Sequence, residues 1–180
     1  RKIDGNNIYF YEYLFDDYAS SNTTITQYRY PKFAMQNLKL VFDASITGVF
    51  MSYFKNVGVY NVEISGARIS GLTSYYCYDV LINKYTNFKS YETTLDGGYA
   101  YGYTIASCQN VNMQNCFISG AKHGVMIGGN FPNRNIKIMN SYFSEQVNGH
   151  GNCELVDIIG CTCYGPLTFW GKSVRIINCL

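Results

Sequence analysis

The amino-acid sequence predicts an all-β solenoid, a stack of short parallel strands wound coil upon coil. Three observations predict it. One phrase recurs along the 180 residues, as NVGVYNVEISG from Asn56, NVNMQNCFISG from Asn110, NIKIMNSYFSE from Asn135, LVDIIGCTCYG from Leu155 and SVRIINCL from Ser173. Aligned copies keep apolar residues in some columns and Asn or Gly in others. Charged residues make up only 14% of the chain, as a stack requires, because a column of one charge would repel itself.

In chain order, weaker copies begin at Asn7 (NIYFYEY), Asn37 (NLKLVFD) and Asp79 (DVLINKYTNFK). The first inward residues are then Ile8, Leu38, Val57, Val80, Val111, Ile136, Val156 and Val174. Their spacings of roughly 18 to 31 residues lie in the range of solenoid repeats. Two residues after each anchor stand Leu40, Val59, Ile82, Met113, Ile138, Ile158 and Ile176, the period of two of a strand facing inward. Four residues after it come Asn61, Asn115, Asn140, Gly160 and Asn178, and just before it Asn7, Asn37, Asn56, Asp79, Asn110 and Asn135. These residues tolerate a left-handed backbone, so both columns read as tight bends. Past the second bend, Val62, Cys116, Ser141, Cys161 and Cys179 form a column of small residues that stack indoors. Outward, Lys137, Asp157 and Arg175 alternate in sign, as do Arg134, Glu154 and Lys172, which suits neighbours ~4.8 Å apart. About eight coils are expected, a rod near ~40 Å long.

One domain suffices for this length. An apolar content of 47% excludes intrinsic disorder, and a net charge of +2 offers neither nucleic acid nor an anionic membrane a partner. No apolar run reaches the ~18 residues of a membrane span. Seven cysteines, at 77, 108, 116, 153, 161, 163 and 179, form neither an even framework nor paired CxxC units, so reduced buried thiols are expected. No acidic cluster has the density of a calcium site, and no cofactor or metal is expected. The chain begins and ends in mid-pattern, which predicts a segment of something longer. Residues 1–36 read as an irregular coil with a long loop, and 37–180 as the solenoid, incomplete at its C-terminal end.

The V-x-I-x-N-x-x-I phrase resembles the right-handed parallel β-helix proteins of the pectate-lyase-like superfamily, from about Asn37 onward. The resemblance implies three sheets per coil and a carbohydrate-binding groove along one face. It is nearest to the solenoid of a bacteriophage tailspike or appendage protein, which implies a homotrimer on the virion that binds a bacterial surface polysaccharide and, in its enzymatic form, depolymerises it. The alternatives are a secreted or cell-surface polysaccharide lyase or glycoside hydrolase of the same superfamily, and a non-catalytic β-helix fibre or adhesin.

Function on a rigid scaffold gathers in inserted loops, here Phe88 to Tyr103 and about Tyr13 to Pro31, the latter with Asp16 and Asp17. Tyr99, Tyr101 and Tyr103 alternate and so share one side of a strand. They are candidate substrate-binding residues, since the C–H faces of sugars pack on aromatic rings; the alternative is a Tyr ladder that covers the solenoid or a subunit contact. Trp170 is expected to face outward beside an inward Phe169, toward sugar or a subunit contact. His123, in AKHGVMIGGN, resembles the G-H-G-I-x-I-G motif of polygalacturonases, with Lys122 in place of Gly; that family's Asn-Thr-Asp segment is missing from this sequence. His150, between glycines, reads as a solvated bend residue. Glycoside cleavage needs two carboxylates, and lyase chemistry needs a base with a cation. The candidates are Glu92, Asp96 and Glu145, with His123 beside them and Lys122 as the nearest cation. Glu145 stands where other coils have Gly66, Gly120 and Gly165.

Overall fold

The computed structural model describes residues 2–4, 7–9, 32–42, 47–88 and 100–180. Among them every regular element is a strand. From Phe33 onward the strands form a parallel solenoid, as the repeat predicts, with the three sheets that the resemblance implies. Sheet A stacks Thr47–Ser52, Ser70–Tyr75, Tyr101–Ala106, His123–Gly128 and the first parts of the long strands Gln146–Ile159 and Leu167–Ile177. Sheet B stacks 33–36, 55–60, 78–83, Gln109–Gln114, Asn133–Met139, 153–159 and 171–177. Sheet C stacks 38–41, 62–65, 85–88, Phe117–Ser119, Tyr142–Phe143 and Thr162–Cys163.

These registers make five complete turns, 47–65, 70–88, 101–119, 123–143 and 146–163, with partial turns below and above. Five complete turns stand against the expected eight coils, because the first expected coil is not part of the solenoid and those of Leu38 and Val174 are the partial turns. Ile8 lies in Asn7–Tyr9, which pairs antiparallel with Lys2–Asp4 rather than stacking on the solenoid. Leu38 pairs with Val62 in sheet C, and Phe33 is the true counterpart of Val57. Asn37 accordingly moves to the second bend column, where it accepts a hydrogen bond from Asn61 at 2.9 Å, and the solenoid begins by Phe33 rather than 37.

The bends are where the backbone leaves the extended region. Asn56, Asp79, Asn110 and Asn135 hold φ between 54° and 57°, and Asn37, Asn61, Asn115, Asn140 and Asn178 between 47° and 54°. Asparagine tolerates this region and its amide bridges the turns. Asn135 donates to Asn110 (2.9 Å) and Asn110 to Asp79 (3.0 Å), so each bend is tied to the one below. Leu155 and Ser173 continue the first column at φ 56° and 58°.

Just past each bend the backbone ladder is interrupted, and small hydrogen-bonding side chains repair it. The Cys77, Cys108 and Cys116 N–H groups donate to Cys108 Sγ (3.4 Å), Asn133 Oδ1 (2.8 Å) and Ser141 Oγ (3.0 Å) in the next turn. The thiols of Cys77, Cys108, Cys161 and Cys179 donate to Met51, Ser74, Ile138 and Ile158 carbonyls in the turn below, at 3.3 to 3.6 Å. A hydrogen-bond partner offsets the cost of burying a polar group, which accounts for cysteine here beyond its small size. All seven cysteines are free; five are buried as expected, whereas Cys163 and Cys179 are half-buried. Burial pushes the Cys116 and Cys153 thiols up to about 11. Hydrogen bonding from Cys108 brings Cys77 down to about 7, yet only 2% of its surface is exposed.

Large and small residues alternate across each turn. A Cβ added at Gly48, Gly71, Gly102 or Gly124 in sheet A would run into Ile64, Tyr85 with Asn87, Ile118 or Phe143, the inward sheet C residues of the same turn. The fifth turn has Cys163 in that place, and the register shift between His123 and Val125 removes the matching position. The charge ladders form as expected: Arg134 Nε donates to Glu154 at 2.8 Å, and Arg175 grips Asp157 through two 2.7 Å bonds.

Gly102→Ala is expected to lose about 1–3 kcal/mol by overpacking against Ile118 and the Gly124 carbonyl, whereas Gly151→Ala, with open space around it, stays within about 0.5 kcal/mol of wild type. Urea unfolding midpoints of the two variants measure the difference. Arg175 holds the Asp157 carboxyl below its usual range, so its stabilisation is present above the unfolded pKa of ~3.9 and is lost as pH falls through the lower folded value. Asp157→Asn should therefore be less stable than wild type at pH 7, with the gap closing in strong acid.

Candidate functional site

Among the candidate residues, Glu92, Asp96 and Tyr99 lie outside the described residues, as do Asp16, Asp17 and most of both inserted loops. The others fall on or beside sheet A. Its entry column stacks Ser70, Tyr101, His123 and Gln146 in successive turns. The Tyr101 and His123 rings lie 5.3 Å apart, tilted by 35°. His123 stands in register with Gln146, whose Nε2 donates to Thr168 Oγ1 at 3.0 Å. A polar row thus climbs four turns, with His123 Nδ1 buried and unpartnered among the described atoms. The Lys122 N–H donates to Ala100 O (2.7 Å), which fixes that residue at the start of the row.

Tyr103 does not share this face. It is 0% exposed and points into the core, where its hydroxyl meets Ser74 Oγ at 2.9 Å. The shared side expected for Tyr101 and Tyr103 fails because Tyr101 sits at the corner where the chain enters sheet A. Burial raises both phenols above their ordinary pKa.

Glu145 is a corner staple. Its Oε1 accepts the Gly120 N–H of the preceding turn at 2.8 Å and a short bond from Ser144 Oγ, and Oε2 is buried without a partner. Gly66 and Gly120 need positive φ (76° and 69°) but Glu145 does not, so a side chain is allowed in this column. The other acids with described side chains are also engaged: Glu63 with Lys39 (2.7 Å), Asp79 with Asn110, Glu154 with Arg134 and Asp157 with Arg175. None of them forms the free carboxylate pair that glycoside cleavage requires.

At the far edge of sheet A, Ser52, Tyr75, Ala106 and Gly128 stack in register, and His150 lies over Gly128. His150 meets Trp170 edge to face at 6.0 Å, and Trp170 faces outward as expected, 64% exposed, while Phe169 packs on the core. His150 is thus part of this edge rather than an isolated bend residue. At the lower end the aromatic residues Phe50, Tyr53, Tyr75, Tyr76 and Phe131 form one connected cluster, with Tyr53 and Tyr76 stacked at 5.2 Å and Phe131 5.7 Å from Tyr76. The Phe131 N–H bond to Ser107 Oγ at 3.1 Å ties this cluster to the bend. The signal in the sequence is their phase: Tyr53 and Tyr76 each stand three residues before a bend residue, Asn56 and Asp79, and both prove to lie at the bend that ends sheet A, at φ 58° and 51°.

The outer face of sheet A therefore has a floor of Thr73, Thr104, Ala106 and Gly128, with Met126 in line with Thr104 and its sulfur against Gly128, between aromatic groups at each end. Stacked aromatic rings and hydroxyl or amide rows can hold a sugar by its C–H face and its hydroxyls.

Burial, with the charges of Lys122 and His150, lowers the His123 pKa below its ordinary value, so the ring is neutral at pH 7. As pH falls below ~6.5 the unfolded chain binds this proton before the folded one does, and stability falls across that window. His123→Gln should lose less stability than wild type between pH 7 and 5, read from urea midpoints at the two values.

A family model described as Gp49, pectin lyase-like, matches residues 65–180. The solved structure of the Streptococcus pneumoniae surface protein and adhesin PfbA is similar over 80% of this chain and 48% of its own, at 12% identity and a TM-score of 0.28. The chain thus spans about half the length of that protein. No curated protein matches.

Proposed function

From a chain that belongs to the Gp49, pectin lyase-like family, with the right-handed parallel β-helix of the pectate-lyase-like type, we propose a bacteriophage tailspike or appendage segment that binds a bacterial surface polysaccharide along the outer face of sheet A. The reading places the protein on the virion, as a homotrimer. The observation that carries it is the pairing of two aromatic ends, Tyr75, Tyr76 and Phe131 below and Trp170 with His150 above, across the small-residue floor of Ala106 and Gly128. From Tyr75 to Trp170 the chain climbs four turns, about 19 Å at ~4.8 Å per turn. An extended glycan laid along the axis meets both ends at once, and the gain from joining two weak contacts exceeds either alone.

Binding needs only groups already in place. The C–H faces of the sugar rings pack on Trp170 and Phe131, while Thr104, Asn148, Gln146 and Thr168 offer hydroxyl and amide partners. The engagement of every acid with a described side chain favours binding over cleavage by these residues. A depolymerising form of the protein would draw its carboxylates from Glu92 and Asp96.

Trp170→Ala and Tyr76→Ala are each expected to weaken binding of the host polysaccharide roughly two- to tenfold, as loss of one ring contact of about 0.5–1.5 kcal/mol implies. The double variant should lose at least the product of the two. Isothermal titration with purified capsule or lipopolysaccharide glycan measures this, and unchanged affinity in both single variants would sink the assignment of the face.

A further inference from the structure

Two pairs of cysteines stack thiol over thiol in successive turns. The Gln109 N–H donates to Cys77 O in the ladder that pairs Tyr78 with Gln109, so Cys108 lies directly above Cys77. The Leu180 N–H donates to Cys161 O and the Cys163 N–H to Leu180 O, which sets Cys179 above Cys161. The other three cysteines have no thiol counterpart: Cys116 meets Ser141, Cys153 meets Gly171, and Cys163 stands over Phe143. At the lower pair a backbone N–H also holds the upper sulfur, since Cys77 N–H donates to Cys108 Sγ at 3.4 Å. Cys108 Sγ in turn reaches down to Ser74 O, in the turn of Cys77, at 3.3 Å.

We infer that Cys77 and Cys108 are an oxidative crosslinking site, at which a peroxide joins the second and third complete turns through a disulfide. Residues paired in this way have Cα atoms ~4.8 Å apart, inside the ~4.4–6.8 Å that a disulfide spans. Both thiols are buried, so the oxidant must be small, as hydrogen peroxide is. The two sulfurs also differ in state. Hydrogen bonding from Cys108 brings the Cys77 thiol down to about 7, so a thiolate is present at neutral pH, while burial pushes Cys108 up and keeps its proton in place. The Cys77 thiolate attacks one peroxide oxygen and breaks the O–O bond, giving a sulfenic acid and hydroxide. The Cys108 sulfur then attacks the sulfenic sulfur and forms the S–S bond, and the expelled oxygen leaves as water with the Cys108 proton. The hydroxide takes up the proton that Cys77 had released, so two thiols are oxidised by two electrons and one hydrogen peroxide becomes two waters. The bond joins the neighbours of Tyr76 and Ser107, and Ser107 holds Phe131, so it braces the lower aromatic end of sheet A from behind. The bond forms whether or not that face binds glycan.

The test exposes the folded full chain to millimolar hydrogen peroxide at neutral pH, unfolds it in excess alkylating agent and dimedone, and maps its peptides without reduction. The expected result is a disulfide between the Cys77 and Cys108 peptides, with both positions lost to alkylation. In Cys108→Ser the reaction stops at a Cys77 sulfenic acid captured by dimedone, and in Cys77→Ser the Cys108 thiol remains alkylated. The wild-type map decides the claim even if neither variant folds. Cys77 and Cys108 both alkylated after exposure, Cys77 joined to a different cysteine, or crosslinking confined to Cys161 and Cys179 would overturn it. So would a Cys77–Cys108 bond that forms only when peroxide is added to the chain in urea, since the folded stack would then not present the pair.

Discussion

The structure depends on one constraint: every turn returns the chain to the same place, so each side chain faces its own counterpart ~4.8 Å above and below. Positions cannot vary independently under that rule. Asn110 is at its bend because it can adopt φ 54° and also because its amide completes a row from Asp79 to Asn135. Cysteine, serine and asparagine gather past the bends because each must accept an N–H from one turn or donate to a carbonyl of another. Scarce charge is a consequence of the same rule, since the ion ladders on sheet B survive by alternating in sign.

The rule also divides the surface. Whatever one sheet presents in one turn it tends to present in the next, so chemistry is sorted into lengthwise rows. Sheet B carries the ion ladders, sheet C gives way from the Lys39–Glu63 pair to aromatic residues in later turns, and sheet A has small residues bordered by aromatic and histidine side chains. The glycine row of sheet A is the internal condition for this arrangement. Gly71 and Gly102 leave room for Tyr85 with Asn87 and for Ile118, so the third sheet can fill the core behind sheet A.

The bends, the inward columns and the alternating ladders were legible in the sequence because each is a residue type repeated at a fixed phase. Errors arose where phase alone had to decide. Leu38 and Asn37 match the repeat by composition but sit one bend later, a shift that only pairing with Val62 and Asn61 reveals. Tyr103 satisfies strict alternation with Tyr101 yet is buried, because the corner before the strand breaks the period of two. Glu145 looked anomalous in a glycine column, and the anomaly dissolves once φ shows that only some members of that column need glycine. The aromatic cluster around Tyr76 joins residues as far apart as Phe50 and Phe131, a proximity that follows from stacking rather than from local pattern.

Trp170 is the single tryptophan of the chain, and it stands at one end of the sheet A face. Its emission therefore reports on that face alone, and titration with the host polysaccharide tests the central claim directly. The account predicts a saturable blue shift as sugar excludes water from the indole. Emission that stays constant while glycan binding is registered calorimetrically would contradict it.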